Sequence, residues 1–485
     1  MLRPTRVLRA TLSSINAFTG APVGIAVQCD DGSSVESKFL AAVKAQPAWA
    51  ATSFEHRAAC LKKFQGLLVT HTDELANLLS EEMGKPVAHA KGEIHNTIPR
   101  IQFFLDNVEA FTAEECAAPA SAGTEERVRY EPIGVVGNIS AWNFPYFVGS
   151  NVWAPALLTG NAVLYKPSEW ALQTGRRVSE LMLQSGVPSE VFCPVYGSGV
   201  EVGAALARQP LDGLFFTGSE ATGRKLAAAV YSEAAIASRD KRPSRVMFPR
   251  LQLELGGKDP AYVRADVANA FEVGQGLADG AMFNNGQSCC GVERVYAHAD
   301  VHEQVVAGAV AAAKSFVCGD PKSAETYLGP LCLPSQAAFL QSQVDDAVGK
   351  GAAVVCGGSR TGGIVPSERF YPPTVLTGVD HSMSIMTEES FGPVLGIMKV
   401  HDDEEAVALM NDTKFGLTAS VWTKSQSEAE AILKKVNTGT GYWNCCDRVS
   451  PYSPWSGRGA SGIGSTLGQV GIAAFVQPKA YHLRA

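Results

Sequence analysis

The sequence predicts an α/β protein with two doubly wound, mostly parallel sheets and a small extra β element. Three observations lead there. Short apolar strands alternate with helical stretches through the middle of the chain, the pattern of a parallel sheet with crossover helices. The alternation pauses near Glu254 and resumes beyond it, which implies a second unit of the same kind. And 485 residues are too many for one simple core, since domains usually run roughly 100–200 residues.

The elements follow in order. From Val35 to Ala90 apolar residues recur at three- and four-residue spacing, as at Leu61, Phe64, Leu67 and Leu68, which predicts helices interrupted at Pro86. Glu131–Ile139 reads as a strand entering a loop, Ala162–Lys166 as a second strand stopped by Pro167, and Gly213–Thr217 as a third. Helical patterns lie at Gln173–Gln184 and Gly223–Ala235. In the second unit, strands are predicted near Arg294–Ala297, Ala353–Cys356 and Val394–Val400. Residues 233–247, with Arg239, Lys241, Arg242, Pro243 and Arg245, read as a polar surface loop. Sheets of this kind bind ligands at the carboxyl ends of their strands.

Composition excludes several classes. The net charge of -7 and the absence of a basic run argue against a nucleic-acid partner. No apolar run reaches the roughly 18 residues a membrane span requires. The cysteines include two adjacent pairs, Cys289-Cys290 and Cys445-Cys446, a poor disulfide framework, so free thiols in a reducing compartment are expected. There is no CxxC or HExxH, and no metal site is expected. The N-terminus carries Arg3, Arg6 and Arg9 with no acid before Asp30, the bias of a mitochondrial transit peptide. Domain-like sequence begins at Ile15, which leaves little room for one, so a cytoplasmic location is expected, with the mitochondrial matrix as the alternative.

Three segments carry chemistry. Phe283–Cys290 (FNNGQSCC) presents a cysteine after a polar turn, and a thiolate there would be a good nucleophile. Leu253–Lys258 (LELGGK) puts Glu254 at a strand end before two glycines, where burial would make it a general base near neutral pH. Ser140–Pro145 (SAWNFP) holds Asn143 in a proline-fixed aromatic turn, a rigid donor for an oxyanion. Each segment alone also fits a plain structural role: a buried thiol, an ordinary strand-end carboxylate, an asparagine satisfying its own turn.

Together the three resemble the aldehyde dehydrogenase superfamily, from about Ile15 to the C-terminus. Gly286-Gln287-Ser288-Cys289 matches the family's cysteine motif, with Arg294 at the expected distance. Glu254-Leu255-Gly256-Gly257-Lys258 matches its glutamate motif, and Trp142-Asn143-Phe144-Pro145 its asparagine motif. The resemblance implies that Cys289 attacks the aldehyde carbon, that Asn143 and the Cys289 backbone N–H hold the oxyanion, and that Glu254 activates the water hydrolysing the thioester. Only Cys289, not Cys290, has the Gly-Gln-x-Cys spacing.

The resemblance also implies a dinucleotide site. Phe216–Gly223 follows a strand and opens a helix, with Gly218, Ser219 and Gly223 around the pyrophosphate. Its Gly-x4-Gly spacing is not a phosphate loop, because Arg224-Lys225 replaces Lys-Ser/Thr. Lys166 and Glu169 would hold the adenine ribose, Glu389 the nicotinamide ribose, and Phe391 would pack near the nicotinamide. Ile139, Ser140, Trp142 and Leu255 complete the expected set. A carboxylate at Glu169 repels a 2′-phosphate, so NAD is expected over NADP. Phe144, Phe147, Val148, Asn151, Val449 and Trp455 match positions lining the substrate channel. Their apolar character favours an aliphatic or aromatic aldehyde. Enzymes for succinic semialdehyde typically have an arginine where Asn151 stands, which disfavours that substrate; Arg448 is a candidate anchor for an acidic tail, an ordinary exposed loop arginine being the commoner case.

Two positions depart from many members. Val152 stands where a lysine is common, and Gly464-Ser465-Thr466-Leu467 where Gly-Arg-Glu-Leu is common. Losing both charges leaves neither unpaired, and Glu254 is expected to shed its proton through water or backbone groups. The resemblance implies a cofactor domain at 1–112 and 133–254, and a catalytic domain at 255–468. A β element at 113–132 and 469–485 would join a homodimer or homotetramer, its hairpin within Ala118–Tyr130 and its final strand near Lys479–Leu483 pairing across subunits. The competing readings are a CoA-acylating relative, which often lacks the base that Glu254 supplies, and a catalytically silent NAD-binding protein.

Overall fold

The computed structural model describes residues 10–121, 124–240, 247–359 and 368–484. Two large sheets dominate it. The first has six strands, in the order Gly462–Ile463, Arg250–Glu254, Gly213–Thr217, Val135–Ile139, Ala162–Lys166 and Phe192–Pro194. All are parallel except Gly462–Ile463, which runs antiparallel to Arg250–Glu254. Val135–Ile139 and Ala162–Lys166 are buried at every residue, as a strand covered on both faces requires. From Val135–Ile139 the chain winds outward through Ala162–Lys166, then returns to the other side through Gly213–Thr217. The sheet therefore has a topological switch point beside Ile139 and Thr217, where ligands of such sheets bind.

The second sheet has seven strands: Ala353–Cys356, Thr374–Thr377, Val394–Val400, Val292–His298, Asp259–Val263, Thr418–Trp422 and Thr440–Trp443. Only the Ala353–Cys356 edge is antiparallel to its neighbour. The Val394–Val400 and Ala353–Cys356 strands fall where the sequence places them. Asp259–Val263, Thr374–Thr377, Thr418–Trp422 and Thr440–Trp443 are strands the reading passes over; each is short, and the first starts at Asp-Pro.

The N-terminal region is helical as expected, with Pro86 ending the gap between Thr72–Met83 and Val87–Phe111. One expectation fails. The stretch 233–247 is not simply a loop: Glu233–Asp240 is a helix, with Ala235 buried against the core. Its three alanines outweigh the polar composition that suggests a loop. Residues 241–246 and the three N-terminal arginines lie outside the described residues.

A third sheet joins Glu115–Ser121, Thr124–Pro132 and the final strand Val476–Arg484. The final strand pairs first with its own chain's hairpin, over nine registered residues from Val476 opposite Pro132 to Arg484 opposite Thr124. Its other edge carries no strand among the described residues. All eleven cysteines are free thiols.

Candidate active site

A cavity of about 790 Å³ opens between the two large sheets. Cys289, Asn143 and Glu254 all line it, together with Gly218, Ser219, Leu255, Glu389 and Phe391. So do Trp142, Phe144, Phe147, Val148, Asn151, Val449 and Trp455. Side chains far apart in sequence thus share one space.

Cys289 is half-buried, and a strained turn delivers it. Asn284, Asn285 and Gly286 are consecutive left-handed residues, with φ of 56°, 61° and 69°. Buried hydrogen bonds hold the turn: Asn285 Nδ2 donates to Gly84 O at 3.0 Å and Asn285 Oδ1 accepts from Gly329 N at 2.8 Å. A Cβ at Gly286 would stand 2.2 Å from the Gly392 carbonyl carbon. Glycine there lets the cysteine turn touch the loop carrying Phe391.

Cys290 is buried, and its thiol donates to Asp447 Oδ1 at 3.0 Å. The neighbouring Cys289 thiol and its own burial push Cys290 well above the ordinary thiol range. That keeps it protonated and unreactive at neutral pH.

Asn143 sits at the mouth of the Pro145–Leu158 helix. Its Nδ2 donates one proton to Gln287 O at 3.1 Å, which leaves the second proton for an oxyanion. The loop is braced from beneath by groups that the sequence reading does not single out. Lys85 Nζ donates to Asn143 O at 2.7 Å and forms a fully buried ion pair with Glu93. Glu93 Oε1 accepts from Tyr146 N at 2.8 Å, at the positive end of that helix. The sole sequence signal is Lys85 itself, held between Gly84 and Pro86.

Glu254 ends its strand opposite Gly462. It is 8% exposed, and burial pushes its carboxyl up to about 7, against the pull of the Thr466 hydroxyl and of Arg100. Thr466 Oγ1 donates to Glu254 Oε1, and Gln252 Nε2 lies 3.4 Å from the same oxygen. The group nearest the Glu254 carboxyl is therefore a side-chain hydroxyl, where the sequence suggests water or backbone. Val152 is buried and apolar.

The residues expected at the cofactor form two groups. Glu389 and Phe391 reach the cavity on a loop fixed by the buried Glu293, which accepts from Ser390 N, Phe391 N and Lys258 Nζ. Burial, with Glu293 beside it, pushes Glu389 up to about 8. Its Oε1 accepts from Gly257 N at 3.1 Å, and a Cβ at Gly256 would overlap it. Trp142 and Phe391 meet edge to face at 5.5 Å. Ile139, Ser140, Lys166, Glu169 and Gly223 lie outside this cavity, along the strand ends of the first sheet. Ile139 pairs with Lys166, and Ser140 N donates to Lys166 O at 3.0 Å. Lys166 Nζ is 3.3 Å from Glu169 Oε2, while Glu169 Oε1 accepts from Gly199 N at 2.9 Å. Ser219 caps the Glu220–Val230 helix beside the switch point. A carboxylate fixed at one strand end, a capped helix start at the next and a protonatable carboxyl at the cavity suit two riboses joined by a pyrophosphate.

Arg100 is absent from the residues the sequence singles out. The Val87–Phe111 helix carries it into the cavity wall, where its Nη1 donates to Asn151 Oδ1 at 2.7 Å. The position read as lacking an arginine is thus reached by one from another helix. No motif surrounds Arg100 in the sequence, so no local signal could have found it. Arg448 is exposed at the cavity's edge.

Among the described residues no helix is long and apolar enough to cross a membrane, and no group of His, Cys, Asp and Glu could hold a metal ion.

The chain is similar to known dehydrogenases over nearly its whole length. A 3,6-anhydro-α-L-galactose dehydrogenase from Streptomyces coelicolor is 34% identical over 98% of this chain and 93% of its own. A succinate-semialdehyde dehydrogenase [NADP(+)] from Mycobacterium ulcerans is 32% identical over 88% of this chain and 90% of its own. The crystal structure of an NAD-dependent aldehyde dehydrogenase from Sinorhizobium meliloti superposes with a TM-score of 0.90 at 32% identity, covering 98% of this chain and 91% of that one. The sequence model of the aldehyde dehydrogenase family matches residues 6–481, and the chain belongs to that family.

Proposed function

We propose that this oxidoreductase converts an aldehyde to its carboxylic acid with NAD, through a thioester on Cys289. The observation that carries the reading is the single cavity shared by Cys289, Asn143, Glu254, Glu389 and Phe391. The Cys289 thiolate adds to the carbonyl carbon, and the carbonyl electron pair moves onto oxygen. The free Asn143 amide proton and the Cys289 backbone N–H stabilise that oxyanion. As the oxyanion electrons re-form the carbonyl, the carbon loses its hydride and becomes a thioester carbon; a nicotinamide held by Glu389 and Phe391 would supply the hydride acceptor. Glu254 takes a proton from water as the water attacks, and the C–S bond breaks to return the thiolate. A carboxyl group held near 7 is half ionised at neutral pH, so it can take that proton and then release it.

NAD is favoured by Glu169, whose carboxylate, fixed by Gly199 N, would accept from a ribose hydroxyl and oppose a 2′-phosphate. The Mycobacterium ulcerans relative is named for NADP(+), which makes the point worth measuring. The cofactor domain is proposed at 1–112 and 133–254, the catalytic domain at 255–468, with Gly462–Ile463 lending an edge strand to the former sheet. The open edge of Val476–Arg484 supports a homo-oligomer, and the free thiols a reducing compartment such as the cytoplasm.

The test is NADH formation from an aldehyde panel, with and without CoA, repeated with NADP. Free acid without CoA, and a lower KM for NAD, are expected. No NADH from any aldehyde would overturn the reaction; a lower KM for NADP would overturn the cofactor choice alone.

A further inference from the structure

Arg100 is a buried cation that no carboxylate touches among the described residues. It is 3% exposed, and among the described residues no carboxylate forms an ion pair with it. Its partners are neutral: Asn151 Oδ1 at 2.7 Å, Val449 O at 3.3 Å, and the face of Phe147 at 4.4 Å. Its Nε–H has no partner. The acids that face it are already engaged: Glu93 by Lys85 and the helix start, Glu254 by Thr466. Burial pulls Arg100 down to about 10, which still leaves it charged at neutral pH.

Such an arrangement is costly by itself. A buried charge is tolerated when paired, and a guanidinium whose Nη1 and Nη2 each keep an N–H beyond those given to Asn151 and Val449 matches a carboxylate in shape and sign. Phe147 and Asn151 fix the plane of the guanidinium, so little side-chain freedom is lost when a ligand binds. Val449 and Asn151 belong to the same cavity wall as Cys289.

We infer that Arg100 is the specificity residue of this enzyme, binding the carboxylate at the far end of an aldehydic acid whose carbonyl lies at Cys289. The inference rests on the proposed oxidation. It replaces the preference for a simple aliphatic or aromatic aldehyde that the apolar wall alone suggests. Phe144, Phe147, Val148 and Trp455 then enclose the methylene chain between the two ends.

The experiment compares 4-oxobutanoate, its methyl ester and butanal as substrates of the full-length enzyme. The kcat/KM for the acid is expected to exceed that for ester and butanal by roughly 10- to 100-fold, the range for one charge-assisted pair. In Arg100→Met that ratio falls towards one, chiefly through KM for the acid. In Arg100→Lys, which keeps the charge without the fork, it takes an intermediate value. Equal rates for acid and ester in the wild type overturn the inference, and that comparison needs no folded variant. So does a ratio that collapses in Arg448→Met and survives in Arg100→Met, or a marked preference for the neutral glyceraldehyde. Oxidation of butanal with no preference for the acid sinks the role of Arg100 alone. Failure with every aldehyde sinks the proposed oxidation as well.

Discussion

Thr466→Val removes one hydroxyl and keeps the shape of the side chain. In the structure that hydroxyl donates to Glu254 Oε1, and Gln252 Nε2, at 3.4 Å, is the other donor to the same oxygen. The bond stabilises the ionised carboxylate, so its loss raises the Glu254 pKa above its present value of about 7. A hydrogen bond to a charged group contributes roughly 1.5–3 kcal/mol. At about 1.4 kcal/mol per pKa unit, the shift is about 1–2 units. Wild-type Glu254 is half ionised at pH 7. The variant would be ionised in roughly one molecule in 10 to one in 100 there, a loss of roughly 5- to 50-fold in thioester hydrolysis. By pH 9 the loss shrinks to about twofold or less, since a base with a raised pKa recovers as pH rises through it. The assay is the pH dependence of steady-state kcat, with a stopped-flow record of the first turnover. Where hydrolysis limits turnover, a burst of NADH with undiminished amplitude should precede the slowed steady state. An acid limb that stays near pH 7 in the variant would refute the assignment of Thr466 as the group tuning the base.

Other predictions follow from the same geometry. Cys289→Ala should abolish NADH formation, whereas Cys290→Ala should retain most of it, because the Cys290 thiol is buried and bound to Asp447; iodoacetamide labelling with peptide mapping checks which thiol reacts. Asn143→Ala should lower kcat by roughly 100- to 1,000-fold, the loss of one oxyanion donor, with the melting temperature as a check on folding. Lys85→Met leaves the buried Glu93 without its counter-ion and should cost roughly 3–5 kcal/mol, read as a lowered thermal midpoint. Adding Glu93→Gln to that variant should recover part of the loss, because no unpaired charge then remains.

The local chemistry is legible before any fold is known. Cys289, Glu254 and Asn143 each lie in a short segment whose turn residues and neighbours are contiguous, so the sequence carries both the side chain and its setting. The strands Ala162–Lys166, Gly213–Thr217 and Val394–Val400 are equally plain, because a run buried on both faces over most of its length is mostly apolar. Glu233–Asp240 reads wrongly as a loop because a short helix rich in alanine and polar residues lacks a strong apolar period.

What the tertiary structure decided is which groups meet. Arg100 reaches Asn151 from another helix, Thr466 reaches Glu254 from the far end of the chain, and Lys85 with Glu93 underpins Asn143. None of these pairings has a local signature, since each depends on where two distant backbones cross. The sequence by itself determined the family and singled out the proposed nucleophile with its two local partners. The charge environment of that thiol was settled only by folding, because burial and long-range neighbours, not residue type, set a carboxyl near neutrality and leave a guanidinium Nε–H unpartnered.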